Sequence, residues 1–73
     1  MGERVIYLKE GDRLETAEGN ITILHYCGQD CWFVREYRGD EWAGDYTINV
    51  HQIQRKHYEK TGKICVFFPE KEA

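Results

Sequence analysis

Turn-forming residues recur at short intervals along this chain. They are Glu10-Gly11-Asp12, Glu18-Gly19-Asn20, Gly28-Gln29-Asp30, Gly39-Asp40 and Gly44-Asp45. The segments between them are rich in β-branched and aromatic residues, and they span 4–8, 12–16, 20–26, 31–37 and 41–48. Short strands separated by Gly-containing turns are typical of antiparallel hairpins in a small sheet or barrel. The spacing therefore predicts a mainly β architecture over residues 4–48.

The segment after Tyr46 has a different pattern, because its apolar residues recur at helical spacing. Asn49 can cap a helix, and Gln52 stands three residues later in the capping-box position. Gly62 supplies the residue that commonly follows a helix end. We therefore predict a helix over residues 50–61, with the following outer-face residues: Arg55, Lys56, Glu59 and Lys60. An alternative keeps residues 48–52 in a strand and leaves only a short turn of helix.

The last apolar run, residues 63–68, predicts a final strand that is apolar on both faces, as a central strand would be. The fold class is thus mainly β (α+β): a small twisted antiparallel sheet or partly open barrel of 4–6 short strands with one helix. We expect residues 1–73 to form a single domain, since a chain of this length buries only about 60% of its surface on folding.

Three short phrases give the central part of the chain a resemblance to a known architecture. They are Gly11-Asp12-Arg13-Leu14, Gly19-Asn20-Ile21-Thr22-Ile23 and Trp32-Phe33-Val34. Together they resemble the G-D-x-L, G-x-I-x-I and W-x-V phrases that are common in small SH3-like barrels. The resemblance covers residues 11–53 and implies a fold, not a function.

Charge and hydropathy limit the location of the protein. The net charge of −3 argues against binding nucleic acid by bulk charge and against a polybasic membrane anchor. No transmembrane segment is expected, because the longest apolar run, residues 64–68, is far shorter than the roughly 20 residues required. The N-terminal run turns charged again at Lys9, which leaves no room for a signal-peptide core. The three cysteines are an odd number for a disulfide framework, so we expect a cytoplasmic protein with reduced thiols.

The register of the hairpin at residues 25–33 decides what Cys27 and Cys31 can do. A three-residue loop, Gly28-Gln29-Asp30, would place the two thiols opposite each other, near enough to share a metal ion. A two-residue turn, Gly28-Gln29, would instead place them on opposite faces. This second register pairs Ile23 with an apolar residue, Val34, and hydrophobic matching therefore favours it.

A metal site has weak support in the sequence. A zinc ion needs about four convergent nitrogen or sulfur ligands, and Cys27, Cys31 and His25 are the best candidates. Cys-x₃-Cys is not the compact zinc knuckle, and no second close pair follows. We therefore expect no cofactor and no metal, and keep a small zinc-stabilised module as the second alternative.

The aromatic content suggests how the domain acts. No spacing links a nucleophile to a base, so we expect no enzymatic activity. A small sheet cannot bury all ten aromatic side chains; Trp32 and Trp42 are expected in the core or at its edge. The leading hypothesis is a non-enzymatic interaction module that binds a protein partner, or itself as a homodimer. The candidate residues for this surface are the exposed aromatics Tyr37, Trp42 and Tyr46, with Tyr37 opposite Trp42 if Gly39-Asp40 forms the turn.

The first alternative is a nucleic-acid-binding accessory protein. Residues 50–63 carry four basic side chains against Glu59 alone, although the chain as a whole is acidic. The candidate residues for phosphate contacts are Arg55, Lys56, Lys60 and Lys63. The competing interpretation is a solvated helix face without a ligand.

Overall fold

The structure, a computed structural model, describes residues 3–70. Its elements are β1 (Arg4–Leu8), β2 (Arg13–Thr16), β3 (Gly19–Gly28), β4 (Cys31–Arg38), β5 (Glu41–Asn49), α1 (Val50–Thr61) and β6 (Cys65–Pro69). Strands β2-β3-β4-β5 form an antiparallel sheet, and β1 and β6 form a separate parallel pair. The predicted fold class is confirmed: the chain forms a small, mainly β α+β fold of the SH3-like kind.

One face of the four-stranded sheet forms half of the core. Ile21 and Ile23 of β3, Trp32 and Val34 of β4, and Ile48 of β5 are buried on this face. The other half comes from α1 and the parallel pair, through Leu8, Ile53, Cys65 and Phe67. Each large buried side chain stabilises the fold by about 1.5–3 kcal/mol relative to an exposed one. Trp32 is therefore in the core, as predicted.

Helix α1 begins and ends where the sequence predicts. The Asn49 side chain accepts a hydrogen bond from the Gln52 amide at 2.9 Å, and the Gln52 side chain accepts one from the Asn49 amide at 3.0 Å. Gly62 follows in the left-handed region, with φ of 72°. The alternative that kept residues 48–52 in a strand is wrong, because this capping box satisfies the amides at the helix start.

The predicted last strand exists, but it is not central. Strand β6 pairs in parallel with β1, in the register Arg4 opposite Cys65 and Leu8 opposite Pro69, and this sheet has only two strands among residues 3–70. Cys65 and Phe67 face the core, whereas Phe68 is exposed. Strand β6 is thus apolar on both faces, although only one of its faces is buried.

The hairpin between β3 and β4 follows neither predicted register along its whole length. Ile23 lies opposite Val34, as in the favoured register. Leu24 and Cys27 are then extra residues in bulges of β3, so that the turn becomes Gln29-Asp30, between Gly28 and Cys31. Each bulge shifts the pairing by one residue and reverses the face on which the next side chains lie.

Contacts from outside the turn explain this outcome. The first bulge brings Tyr26 opposite Trp32, where the two ring centroids are 5.1 Å apart and Tyr26 covers the buried indole. The Tyr26 hydroxyl accepts a hydrogen bond from the Asp30 amide at 2.9 Å. The Asp30 carbonyl accepts one from the amide of Val50, at the start of α1, at 2.8 Å. These contacts hold Gln29 and Asp30 at φ of 53° and 60°, which the turn residues alone would not favour.

Candidate interaction surface

Two of the predicted aromatic residues form a pair on the outer face of the sheet. Tyr37 and Trp42 lie directly opposite each other, as predicted from a turn at Gly39-Asp40. The indole Nε1 of Trp42 donates a hydrogen bond to Asp45 Oδ1 at 2.9 Å, which orients the ring along the surface. Trp42 is 63% exposed, so its predicted place in or beside the core is wrong.

An ion pair supports this aromatic pair. Arg35 donates two hydrogen bonds to the carboxylate of Asp45, from Nε at 2.9 Å and from Nη2 at 3.0 Å. The hydrogen bond from Arg35, together with the one from Trp42, lowers the pKa of Asp45 to about 2. The same contact raises the pKa of Arg35. The carboxylate is thus an acceptor already in use, not a free anionic site.

The third predicted residue, Tyr46, lies on the opposite face. Strand β5 has a bulge at Ala43, so that Tyr46 pairs with the buried Val34 rather than with an outer-face residue. Its hydroxyl donates a hydrogen bond to the buried Glu36 carboxylate at 2.8 Å. Tyr37, Trp42 and Tyr46 therefore do not form one surface, and Gly44 is a strand residue beside the bulge rather than part of a turn.

Glu36 is a buried carboxylate whose charge is compensated. Arg38 Nε donates a second hydrogen bond to it, at 2.9 Å, from an exposed position. Burial raises the pKa of Glu36, but the hydrogen bonds from Tyr46 and Arg38 outweigh this effect and hold the pKa below its usual value. Burial, followed by the bond to Glu36, raises the pKa of Tyr46. Glu36, Arg38 and Tyr46 therefore have a structural role, because the Glu36 carboxylate is bonded to both of the other side chains.

The four predicted phosphate-binding residues do not share one face. Lys56 is half-buried and forms an ion pair with Glu18 in the β2–β3 turn, so its predicted outward orientation is wrong. Lys60 lines the groove beside that turn. Arg55 lines one cleft together with Lys56 and a second cleft together with Tyr58 and Ile64. Lys63 is exposed beyond the helix end. The positive charge of these four residues is divided between different parts of the surface, and the Glu18 carboxylate neutralises that of Lys56.

The candidate metal ligands differ in exposure and in their contacts. Cys27 is exposed, Cys31 is half-buried, and all three thiols, including the buried Cys65, are free. The His25 ring packs against Phe33 at a centroid distance of 5.5 Å. Within residues 3–70, no group of three or more His, Cys, Asp or Glu side chains is placed to hold a metal ion.

The sequence reasoning missed a larger apolar surface on the parallel pair. Its outer side carries four apolar side chains, which we call the β1–β6 face: Val5, Tyr7, Val66 and Phe68. Val5, Tyr7 and Phe68 are 53%, 58% and 43% exposed, and the rings of Tyr7 and Phe68 are 6.1 Å apart. Parallel strands are almost always covered on both faces. The feature of the sequence that corresponds to this surface is the apolar run of β6, which by itself predicts a central strand buried on both faces.

A second apolar surface is a cleft near the start of β6. Tyr58 and Ile64 line this cleft together with Arg55, and the two apolar side chains are 49% and 46% exposed. The β1–β6 face and this cleft together contain five of the seven exposed large hydrophobic side chains among residues 3–70. Clustering of this kind marks contact sites more reliably than single exposed residues do.

The described part of the chain, residues 3–70, contains no helix that is both long and apolar enough to span a bilayer. No protein-family model, curated protein or solved structure matches this sequence.

Proposed function

We propose that this chain is a non-enzymatic protein-interaction domain that associates with a second copy of itself through the β1–β6 pair. The observation that supports the proposal is the uncovered apolar side of a parallel strand pair, where burial is the rule. The proposed location is the cytoplasm, in agreement with three free thiols.

The size of the surface sets the expected strength of the association. Tyr7, Phe68 and Tyr58 are each about half exposed, which leaves about 300 Å² of aromatic surface in contact with water. Val5 on the β1–β6 face and Ile64 in the cleft add to this exposed apolar surface, which is then about as large as the largest apolar patch of a typical monomer. This area is smaller than the roughly 800 Å² that each partner buries in a standard specific interface. We therefore expect a weak dimer whose population depends on protein concentration.

The Tyr37–Trp42 pair offers a smaller contact. Trp42 is the only one of the two with a largely exposed ring, since Tyr37 is half-buried. Its indole nitrogen is already bonded to Asp45. For these reasons the β1–β6 pair is the preferred surface, and Trp42 provides a matched aromatic control on another part of the domain.

Sedimentation equilibrium over a range from micromolar to millimolar protein tests the proposal. We expect the unmodified protein to dimerise, Tyr7→Thr to shift the equilibrium toward monomer, and Trp42→Ala to leave it unchanged. Both variants should keep the far-UV circular dichroism of the folded domain, because both side chains are exposed. A monomer at every concentration would overturn the proposal, as would a dimer that is lost in Trp42→Ala and kept in Tyr7→Thr.

The nucleic-acid alternative has less support from the geometry. Lys56 is engaged by Glu18, and Arg55 and Lys60 line different grooves. A protein that bound phosphates through these residues would give a gel shift that weakens as salt is added. We expect no such shift with single- or double-stranded oligonucleotides.

A further inference from the structure

Strand β1 has an open edge. The Arg4 amide donates to the Ile64 carbonyl, and the Glu70 amide donates to the Leu8 carbonyl, each at 3.0 Å. Because backbone groups point alternately to the two sides of a strand, Val5 and Tyr7 direct their amides and carbonyls away from β6. Within residues 3–70, no other strand pairs with this side of β1.

Both edges of the four-stranded sheet are protected, and β1 is not. The free edge of β6 contains Pro69, which has no amide to donate. Strand β5 carries the bulge at Ala43, a glycine at residue 44 and a charged side chain at Asp45. The edge at β2 lies beside helix α1, and the Ala17 amide that follows β2 donates to the Lys56 carbonyl at 3.2 Å. Bulges, charges and covering helices are the usual devices that prevent strand addition. Strand β1 is regular along its five residues and has an apolar exposed side.

We infer that two copies of the chain join through their β1 strands, which pair antiparallel about a two-fold axis at Ile6. This inference rests on the proposed self-association and assigns it to the edge of β1: Val5 and Tyr7 of the two copies pack side by side, and Val66 and Phe68 lie on the same outer side of the joined sheet. Val5 of each copy then lies opposite Tyr7 of the other, and the two residues exchange backbone hydrogen bonds. The result is a continuous four-stranded sheet, with the order β6-β1-β1-β6 across the two copies. Strand addition at an open edge is a common mode of protein recognition.

Self-complementarity selects this register among the alternatives. Hydrogen bonding requires that outward-directed residues face each other, so the axis lies at Val5, Ile6 or Tyr7. With the axis at Ile6, apolar Val5 faces apolar Tyr7, and the exposed side chain of Glu3 faces the exposed side chain of Lys9 twice. An axis at Val5 would place Glu3 opposite Tyr7, and an axis at Tyr7 would place Val5 opposite Lys9. Opposite charges and apolar pairs across strands are favourable, so the axis at Ile6 is preferred.

Glu3 and Lys9, the charged residues that flank the paired segment, contribute to the pairing only through their side chains. The Lys9 amide donates to Asp12 Oδ2 at 3.0 Å, and its carbonyl accepts from the Asp12 amide at 3.1 Å. The paired segment therefore ends at Leu8, and the Lys9 ammonium extends from the turn toward Glu3 of the second copy. Two such pairs flank the four backbone hydrogen bonds made by Val5 and Tyr7.

Disulfide trapping tests the register. Cys27 and Cys31 are first replaced by serine, and the buried Cys65 is retained. Val5→Cys and Tyr7→Cys are made separately, with a C-terminal size tag on one of them, and are mixed under mild oxidation. We expect the mixed disulfide to be the main cross-linked product, because the residues of this hydrogen-bonded pair lie about 5.5 Å apart, nearer than the thiols of either variant paired with itself. Each variant alone should cross-link poorly, because its two thiols are offset along the strands.

The outcomes separate this inference from the proposed function. A dimer in sedimentation that gives no mixed disulfide would overturn the register and leave self-association intact. Efficient cross-linking of Val5→Cys with itself would move the axis to Val5 and also overturn it. A monomer at all concentrations would overturn both proposals.

A charge exchange provides a second test that needs no cysteine. Glu3→Lys alone and Lys9→Glu alone should each weaken dimerisation about tenfold, because two like-charge pairs replace two opposite-charge pairs. The double variant Glu3→Lys/Lys9→Glu should recover the dimerisation constant of the unmodified protein. If the double variant is as weak as the single ones, Glu3 and Lys9 do not face each other and the register is wrong.

Discussion

Among the glycines of residues 3–70, Gly19, the first residue of β3, is the one where an added methyl group should damage the fold most. Its φ is 152°, and a β-carbon built there would lie 2.3 Å from the Tyr37 carbonyl oxygen and 3.3 Å from Arg38 Cγ. The carbonyl belongs to the backbone of β4, which is paired on both sides and cannot move aside alone. The Thr16 hydroxyl also donates to the Gly19 carbonyl at 2.7 Å, which fixes the turn from the other side.

The expected loss in Gly19→Ala is about 3 kcal/mol of the free energy of unfolding. Backbone strain for a residue other than glycine in this sparsely populated region contributes about 1–3 kcal/mol, and the forced contact with Tyr37 adds about 1–3 kcal/mol. A domain of this length is expected to have about 4–11 kcal/mol in total. A loss of this size lowers the melting temperature by about 12–24 °C.

Urea unfolding followed by circular dichroism measures the loss, and Gly39→Ala is the matched control. Gly39 lies in the β4–β5 turn with φ of 64°, and a β-carbon there would meet nothing within 4 Å. Only the strain remains in this variant, so its loss should be about 1 kcal/mol. Equal losses in the two variants would refute the steric argument, since the contact with Tyr37 would then have no measurable effect.

Three further predictions concern polar contacts. Tyr46→Phe leaves Glu36 with one fewer donor and should cost about 1–3 kcal/mol in urea unfolding; an unchanged midpoint would contradict the assigned bond. The pKa of Asp45 is depressed to about 2, so its contribution is complete above the unfolded value near 3.8 and is lost as the pH falls toward 2; Asp45→Asn should lack this part of the acid sensitivity. Asn49→Ala removes the helix cap and should cost about 1 kcal/mol, and Asn49→Ser much less.

Local chemistry was sufficient to predict the helix and the positions of the strands. Asn49, Gln52 and Gly62 are close in sequence to the groups that they cap, and their contacts do not depend on the rest of the fold. The same holds for Tyr37 opposite Trp42, because a short turn at Gly39-Asp40 fixes that pair. These features could be predicted because every participating group lies within a few residues.

The faces of the side chains could not be predicted, because bulges reverse them. An unbroken β5 would place Tyr46 on the same side as Trp42, and the extra residue Ala43 moves it onto the core. In the same way, the extra residue Leu24 turns Tyr26 toward Trp32. A bulge forms where tertiary packing favours one face, and the alternation of the sequence does not contain that information.

The pairing of β1 with β6 depends on the tertiary structure even more than the faces of the side chains do. These strands are the first and the last elements described, and no local turn links them. The sequence determined that each is a short apolar strand; only the folded chain determined that they pair in parallel and leave Val5, Tyr7 and Phe68 exposed. Strand identity follows from local composition, whereas a strand's neighbour, and therefore its exposed face, depends on contacts between residues distant in the chain.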